Sequence, residues 1–441
     1  MEITTKSYGR KIFVDHGEAY GNLGDEAMLI SALRRLSKHL GPCVFVIPRE
    51  ENRPIPNLEE FSIVTTPSPY SVFKAVVRLL NRNLKHCIKF LPGGRVPLKS
   101  FYMWVTFLDR MGILRITCPD YRRFLGDLAE CDAFYGVGAA DFNDFNSIGA
   151  IYKCWLYKLA SRKTSICVVS AQGFGPLNSP GLDIIMLNTF NQLRALAFRD
   201  AEFSTSFCRK LGPLSCRMEI VGDEAFSLQA ADMQRCEIHL RGSGLKPGEA
   251  FIAVHWRATD YTSETNRLYP KIANLYDAVV EKTDLKLLFI PMSYDVHSRI
   301  DQDCYAEIRN MMKHPENICI LEPTRDTGLI KGIIGLAQLT LGLSYHVHVF
   351  GLSQKVPAII IFSGQYYYFK SHGLVDFYGA PNAAHDIEEC NVMDVLLTVM
   401  QCLADRKNTS KSIHEVNINL LKKNDWSIEL VAKLLKERDI E

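Results

Sequence analysis

The first stretch of the sequence that could do chemistry is Tyr20-Gly-Asn-Leu-Gly-Asp25, which lies between a predicted strand and a predicted helix. Its glycines let the backbone approach a ligand. The start of the helix turns free N–H groups and the positive end of the helix dipole toward an anion. The same residues would also make a tight turn in which Asp25 caps the helix. The stretch is therefore either an anion-binding loop or a structural turn.

Two more glycine-bearing loops follow predicted strands in the same half of the chain. They are Gly136-Val-Gly-Ala-Ala-Asp141, which contains Gly138, and Ser170-Ala-Gln-Gly-Phe-Gly-Pro176, which contains Gln172 and Gly173. Either loop alone could be simple turn chemistry. Three such loops behind parallel strands favour a shared ligand-binding rim.

Charged residues also lie at the ends of later predicted strands in the first half. Arg199 stands where a strand passes into a helix, and its guanidinium can present a bidentate fork to a phosphate or a carboxylate. It could equally pair with Asp200 and organise the turn. Asp223, after the next strand, is either a helix cap or a polar hinge.

The second half contributes histidines and cations. His255 and Arg257 share one face of a strand end, so both could point into a cleft or into solvent. His346 and His348 would share a face in an extended segment, which could suggest a metal ion. The apolar pattern favours a helix, in which the two side chains diverge by about 200° and could not bind one ion. We therefore expect His346 at the helix entry to be an active-site residue and His348 to be structural. Lys370 ends an aromatic run that could cover a sugar or a core edge.

These residues must be positioned by alternating strands and helices, which occur in two series separated by a polar, glycine-rich break. Such alternation indicates parallel sheets with helices on both faces. We predict an α/β fold of two doubly wound Rossmann-like domains. Its parts are residues 1–235, a linker at 236–249, residues 250–405, and a C-terminal helical segment at 406–441 that packs back on the first domain. The strand C-termini of both domains would face one interdomain cleft.

Residues 50–120 are interrupted by seven prolines, and we interpret them as an insertion in the first domain. The aromatic residues Phe101, Tyr102, Trp104 and Phe107 suggest that this insertion covers the domain or faces an acceptor.

Composition excludes several classes of protein. The 441 residues contain 51 Lys and Arg against 49 Asp and Glu, so no global field attracts nucleic acid or an anionic membrane, and any basic site must be local. Thirteen cysteines without a CxxC pair favour reduced thiols and no metal site. No secretory signal and no apolar run of about 18 residues is evident, so we expect a cytoplasmic protein with no integral membrane segment.

The order of these motifs resembles that of the polysaccharide pyruvyl transferase family from about residue 11 to residue 375. The resemblance is carried by Gly21–Asp25, Gly136–Gly138, Gln172–Pro176, Phe198–Asp200, Gly222-Asp223, Tyr345-His346, Phe350–Leu352 and Val356-Pro357. It implies a GT-B-like pair of domains. It also implies transfer of a pyruvyl group from phosphoenolpyruvate to two hydroxyls of a sugar in a polysaccharide or glycan precursor, forming a ketal.

The resemblance also implies roles for single residues. His346 would give or take the proton, with Asp25 as the alternative base. The donor, which carries a phosphate and a carboxylate, would be held by Gly21, Asn22, Gly24, Gly138, Gln172, Gly173, Arg199, Arg257 and Lys370. No cofactor or metal is needed besides the donor, and the partners are this small molecule and a glycan acceptor.

Two positions depart from the family pattern, since Ala139 follows Gly138 where a second glycine is usual and Ser344 replaces an arginine. Arg257 or Lys370 could supply the missing charge. Two other functions remain open at this point: a nucleotide-sugar-dependent GT-B glycosyltransferase and a non-catalytic glycan-binding protein.

Overall fold

The computed structural model describes residues 9–16, 21–49, 58–88, 98–257, 265–294 and 300–440. Its first half is built on a parallel sheet of seven strands. These are β1 (Arg10–Asp15), β2 (Cys43–Arg49), β3 (Ser62–Pro67), β4 (Ala133–Gly136), β5 (Cys167–Gln172), β6 (Ala195–Phe198) and β7 (Arg217–Ile220). Their order across the sheet is β3-β2-β1-β4-β5-β6-β7.

The second half is built on a parallel sheet of six strands. These are β8 (Phe251–His255), β9 (Lys286–Phe289), β10 (Ile318–Ile320), β11 (Thr340–Gly342), β12 (Ala358–Phe362) and β13 (Ala384–Asp386). Their order is β10-β9-β8-β11-β12-β13. The strand order turns back beside β1 in one sheet and beside β8 in the other, which is the doubly wound pattern. The predicted fold class is confirmed.

Helices connect the strands in both halves. The first half contains α1 (Leu23–Leu40), α2 (Pro69–Ile88), α3 (Leu98–Arg110), α4 (Ile113–Thr117), α5 (Pro119–Ala129), α6 (Ser147–Lys163), α7 (Leu182–Phe190), α8 (Glu202–Leu211) and α9 (Met233–Gly242). The rest of the chain contains α10 (Tyr269–Thr283), α11 (Ile300–Met311), α12 (Thr327–Gly335), α13 (Tyr345–Ser353), α14 (Gln365–Phe377), α15 (Val392–Ala404), α16 (Arg406–Asn424) and α17 (Trp426–Ile440).

Helix α1 follows from its sequence pattern. Leu29, Leu33 and Leu36 lie on one buried face at helical spacing. The cap is Asn22, whose side chain accepts a hydrogen bond from the backbone N–H of Gly24 at 3.0 Å. Asp25, which we considered as the cap, instead lies in the first turn and is left for another role.

Some elements differ from the sequence prediction. Residues 236–242 of the predicted linker belong to α9, because Cys236 and Leu240 are buried in the core and turn that helix into a packed one. Strand β3 lies inside the predicted insertion and pairs with β2 along its whole length.

The last two helices return to the first half. Val431 and Leu435 of α17 are buried in the same core cluster as the leucines of α1. Arg35 of α1 donates to the carbonyl of Asn424 at 2.6 Å, and Arg438 donates to the carbonyl of Asp132 at 3.1 Å. In the described part of the chain, every helix is too short or too polar to cross a bilayer.

Candidate functional site

A cavity of about 420 Å³ lies between the two sheets, at the carboxyl ends of their strands. Both halves of the chain line it. It brings together six residues that the sequence analysis selected from five separate loops and helices: Asn22, Asp25, Arg199, Arg257, His346 and Lys370.

Three cations surround the inner part of the cavity. Arg199 follows β6 and lies over the ring of Tyr345 at 4.4 Å, while Lys370 of α14 lies 5.6 Å from the same ring. The ammonium of Lys370 also lies 3.2 Å from the hydroxyl of Tyr366. Burial and the charge of Arg199 lower the pKa of Lys370 to about 8. Arg257 completes the group from the end of β8. Three cationic side chains in one cavity favour the binding of an anionic ligand.

His346 begins α13 and is buried beside these cations. Its Nε2 lies 4.0 Å from Oδ2 of Asp223, and the same carboxylate oxygen lies 4.0 Å from Nη1 of Arg199. Neither separation is a hydrogen bond. Burial, together with the charges of Lys370 and Arg199, holds the pKa of His346 well below its usual range. The imidazole is therefore neutral near pH 7 and can accept a proton.

Asp223 caps the short 3-10 helix Glu224–Ser227, as the sequence suggested, and its carboxylate also lies beside the cavity residues Arg199 and His346. Its Oδ1 accepts a hydrogen bond from the backbone N–H of Ala225 at 2.8 Å, which leaves Oδ2 facing Arg199 and His346. Asn424 of α16 donates to the carbonyl of Asp223 at 3.1 Å. One hydrogen bond thus holds the carboxylate of Asp223 and another holds its backbone carbonyl.

Asp25 lies in the first turn of α1 and faces the cavity. Burial raises the pKa of its carboxyl to about 7, against the opposing attraction of Lys370 and Arg257. Its neighbour Gly24 touches the ring of His346, since a Cβ on Gly24 would lie 1.9 Å from Nδ1. The glycine therefore allows the helix and the histidine to meet.

The outer wall of the cavity belongs to the first half and was largely missed. Lys153 of α6 donates to Asp15 at 2.8 Å and lies 3.8 Å from Asp141. Tyr70 and Tyr152 pack together in this wall with ring centroids 4.8 Å apart. Asp141 lies in the glycine-bearing loop after β4, so its place after a strand could have predicted it. Lys153 and Tyr152 are interior helix residues without any motif.

Besides Gly24, four predicted binding residues do not line the cavity. Gly21 donates its N–H to Glu26 at 3.2 Å, and Gln172 is buried with its amide donating to the carbonyl of Val137 at 3.3 Å. A Cβ on Gly138 would lie 2.3 Å from the carbonyl oxygen of Ala171, and one on Gly173 would lie 2.4 Å from Nε of Arg199. These four residues shape the loops, and Gly173 in particular makes room for Arg199.

His348 and His255, the other two histidines considered in the sequence analysis, are structural. His348 is held by Thr340 and by the carbonyl of Gly342, each at 2.8 Å, as we expected. His255 points away from the cavity, with Nε2 3.4 Å from Asp301, and burial lowers its pKa. Within the described ranges, no cluster of three His, Cys, Asp or Glu side chains could hold a metal ion.

Two doubly wound domains that share such a cleft define a GT-B-type protein, and solved structures agree. One is UGT89C1 of Arabidopsis thaliana complexed with UDP-L-rhamnose, at 9% identity and a TM-score of 0.54 over 97% of this chain and 99% of that chain. Another is Alr3699/HepE of Anabaena in complex with UDP and glucose, at 10% identity and a TM-score of 0.55 over the same shares. Such low identities show the fold alone.

The family itself is shown by sequence. The chain belongs to the polysaccharide pyruvyl transferase family, whose model matches residues 22–363. The match includes α1, the first glycine loop from Asn22 onward, the other two glycine loops, Arg199, Asp223, Arg257 and His346. It ends before Lys370. No curated protein sequence matches the chain.

Proposed function

We propose that this protein transfers a pyruvyl group from phosphoenolpyruvate to two hydroxyls of a sugar in a polysaccharide or glycan precursor. The observation that carries the proposal is the cluster of Arg199, Arg257 and Lys370 in one buried cavity with a neutral His346. Phosphoenolpyruvate carries a phosphate and a carboxylate. Guanidinium forks and an ammonium suit both groups.

The protonation states support a division of labour. Addition of a sugar hydroxyl to C2 of the donor requires a proton at C3. Asp25 is half protonated near pH 7 and could supply it. Neutral His346 would accept the proton of the attacking hydroxyl. This assigns Asp25 the acid role, whereas the sequence analysis considered it only as an alternative base.

The second half of the reaction needs a leaving group and a stabilised cation. Loss of phosphate leaves a carbocation-like centre at C2. Oδ2 of Asp223, which accepts no hydrogen bond, is the carboxylate oxygen that faces His346 and Arg199 and could stabilise that centre. The second sugar hydroxyl then bonds to C2 and its proton leaves with the phosphate. Once His346 has released its proton to solvent and Asp25 has regained one from solvent, the net result is one hydroxyl proton on C3 and the other on inorganic phosphate. Ser344 lines the cavity, so Arg257 and Lys370 would carry the charge that the family's arginine usually supplies.

Ligand-dependent thermal unfolding tests the donor. Phosphoenolpyruvate at about 100 times its Kd should stabilise the protein by about 2.7 kcal/mol, and Arg199→Ala should reduce that gain. UDP, GDP and CMP serve as comparison ligands. Stabilisation by UDP or GDP, with none by phosphoenolpyruvate, would replace the proposal with a nucleotide-sugar glycosyltransferase.

A further inference from the structure

Helices α3 and α4 expose a cluster of large apolar side chains. Trp104 is 47% exposed, Phe107 is 50% exposed and Ile116 is 78% exposed. We call this cluster, with its less bulky neighbours, the α3–α4 patch: Met103, Trp104, Phe107, Met111, Ile113 and Ile116. Single exposed apolar residues are normal, but a contiguous group marks an interaction surface.

Helix α3 is apolar on two faces, and the fold accounts for only one of them. Phe101, Tyr102 and Val105 point inward and are buried in the core of the first half. Met103, Trp104 and Phe107 lie on the opposite side, on an arc of about 100° at 100° per residue. The rings of Trp104 and Phe107 meet edge to face at 5.9 Å. The side chains of the outer face therefore pack against one another, and no other described part of the chain covers them.

Positive charge accompanies the patch. Lys99 and Arg110 border the exposed arc of α3, and Arg115 is exposed on α4. Residues 69–79 and 99–123 together contain seven Lys or Arg and two Asp or Glu, whereas the whole chain has a net charge of only +2. This surface is therefore a local basic region, separate from the cations of the interdomain cavity.

We propose that the α3–α4 patch binds the surface of an anionic membrane, with its apolar side chains in the headgroup layer and its cations at the lipid phosphates. Exposed Trp and Phe beside Lys and Arg are the residues of interfacial helices. A soluble polyanion would leave Ile116 and Met103 without a partner. A second copy would bring two positively charged patches together. The inference is independent of the proposed reaction.

Co-sedimentation of the full chain with lipid vesicles tests the proposal. We expect binding to equal parts of phosphatidylcholine and phosphatidylglycerol, weaker binding to phosphatidylcholine alone, and release by salt. Trp104→Ser with Phe107→Ser should weaken binding at least about tenfold, since two aromatic groups leave the interface. The matched control is Ile418→Ser with Leu421→Ser, which removes similarly exposed apolar groups from α16 and should leave binding unchanged.

Two further variants keep the test decisive. Arg110→Glu with Arg115→Glu should abolish the preference for phosphatidylglycerol. Trp104→Tyr should remove the blue shift of tryptophan fluorescence that vesicles cause in the wild type, even if the serine variant unfolds. Equal binding to both vesicle types, no binding, or equal loss in the α16 control overturns the proposal. So does a wild-type dimer that separates in the serine variant and ignores vesicles.

Discussion

The protonation of His346 is set by its surroundings rather than by its own chemistry. It is 7% exposed and lies among cations, and both conditions disfavour the imidazolium. Asp25, in the same cavity, is shifted the other way because burial disfavours its carboxylate. An acid and a base whose pKa values are pushed apart are the usual mark of a proton-transfer site.

At His346, replacement by Asn should separate catalysis from binding. The variant loses the proton acceptor but none of the three cations, so turnover should fall by about 10²–10⁴-fold while donor affinity stays near wild type. Titration calorimetry with phosphoenolpyruvate and a phosphate-release assay measure the two quantities. An active variant would remove His346 from the mechanism.

Replacement of Arg199 should reduce donor affinity, in contrast to replacement of His346, which should reduce turnover. Arg199→Ala should weaken donor binding by about 1.5–3 kcal/mol, the range for hydrogen bonds to charged groups. It also leaves the buried carboxylate of Asp223 without its cation, so Arg199→Lys is the control that keeps the charge and loses the fork. Unaltered donor affinity in Arg199→Ala would return this residue to a structural role.

Asp25 offers a test that does not depend on the substrate. Its folded pKa is raised, so the native state binds more protons than the unfolded state between about pH 4 and about pH 7, and stability falls as pH rises through that window. Asp25→Asn removes this loss. Its stability advantage over wild type should therefore grow by about 2 kcal/mol between about pH 5.5 and about pH 8. Denaturant unfolding of both proteins at both pH values measures this change. A difference in stability that stays constant between the two pH values would contradict a raised pKa for Asp25.

Much of the site could be predicted because its residues follow strands. Arg199 and Arg257 come one and two residues after the ends of β6 and β8, and Asp25 follows the loop after β1. The carboxyl ends of strands converge in doubly wound sheets, so these residues are expected at one cleft. Lys153 could not be predicted in this way, since it lies inside α6 and reaches the cavity only through helix packing. The distance between Asp223 and His346 is likewise a property of how the two halves meet.

At the scale of elements, helix α1 is held against the second half by its own first residues. The backbone N–H of Leu23 donates to the carbonyl of Met292 at 2.9 Å, and Tyr294 donates back to Gly21 at 2.7 Å. Asp301 in turn accepts from the N–H groups of Met292 and Ser293. The glycine loop thus serves as an interdomain contact as well as a turn.

Gly24→Ala should disturb the site through this contact. The backbone at Gly24 is ordinary helix, so the added methyl acts only by meeting His346, and turnover should fall as the ring is displaced. The control is Gly126→Ala on α5, where nothing lies within 4 Å of the new Cβ. That change should stabilise the protein by about 0.5–1 kcal/mol and leave turnover unaltered. Equal activity of the two variants would show that the contact between Gly24 and His346 does not constrain the position of the ring.

Strands were easier to predict than the pieces between them. Buried parallel strands are short, apolar and bounded by turns, so most were located to within a few residues. Strand β3 was missed because it is an edge strand with alternating exposure amid prolines, and α9 was missed because only Cys236 and Leu240 of its residues are buried. Tertiary packing decides such segments.

At the scale of the whole molecule, the C-terminal helices complete the core of the first half. Leu435→Ala should lower the free energy of unfolding by about 2–5 kcal/mol because it opens a cavity against α1. Lys433→Ala, on the exposed side of α17, should change it by less than about 0.5 kcal/mol. Equal costs would mean that α17 contributes nothing to the core.

Helix α16 has a mechanical consequence. Arg406 at its start bonds to the carbonyls of Ala337 and Gln338 in the second half, and Asn424 at its end bonds to Val221 in the first half. The chain therefore crosses between the halves twice, once before β8 and once along α16. Because two points fix an axis, we expect any relative motion of the halves to be a rotation about the line through these two crossings. The Asn22–Ser293 bridge is a further link between the halves, and we expect it to break when the cleft widens.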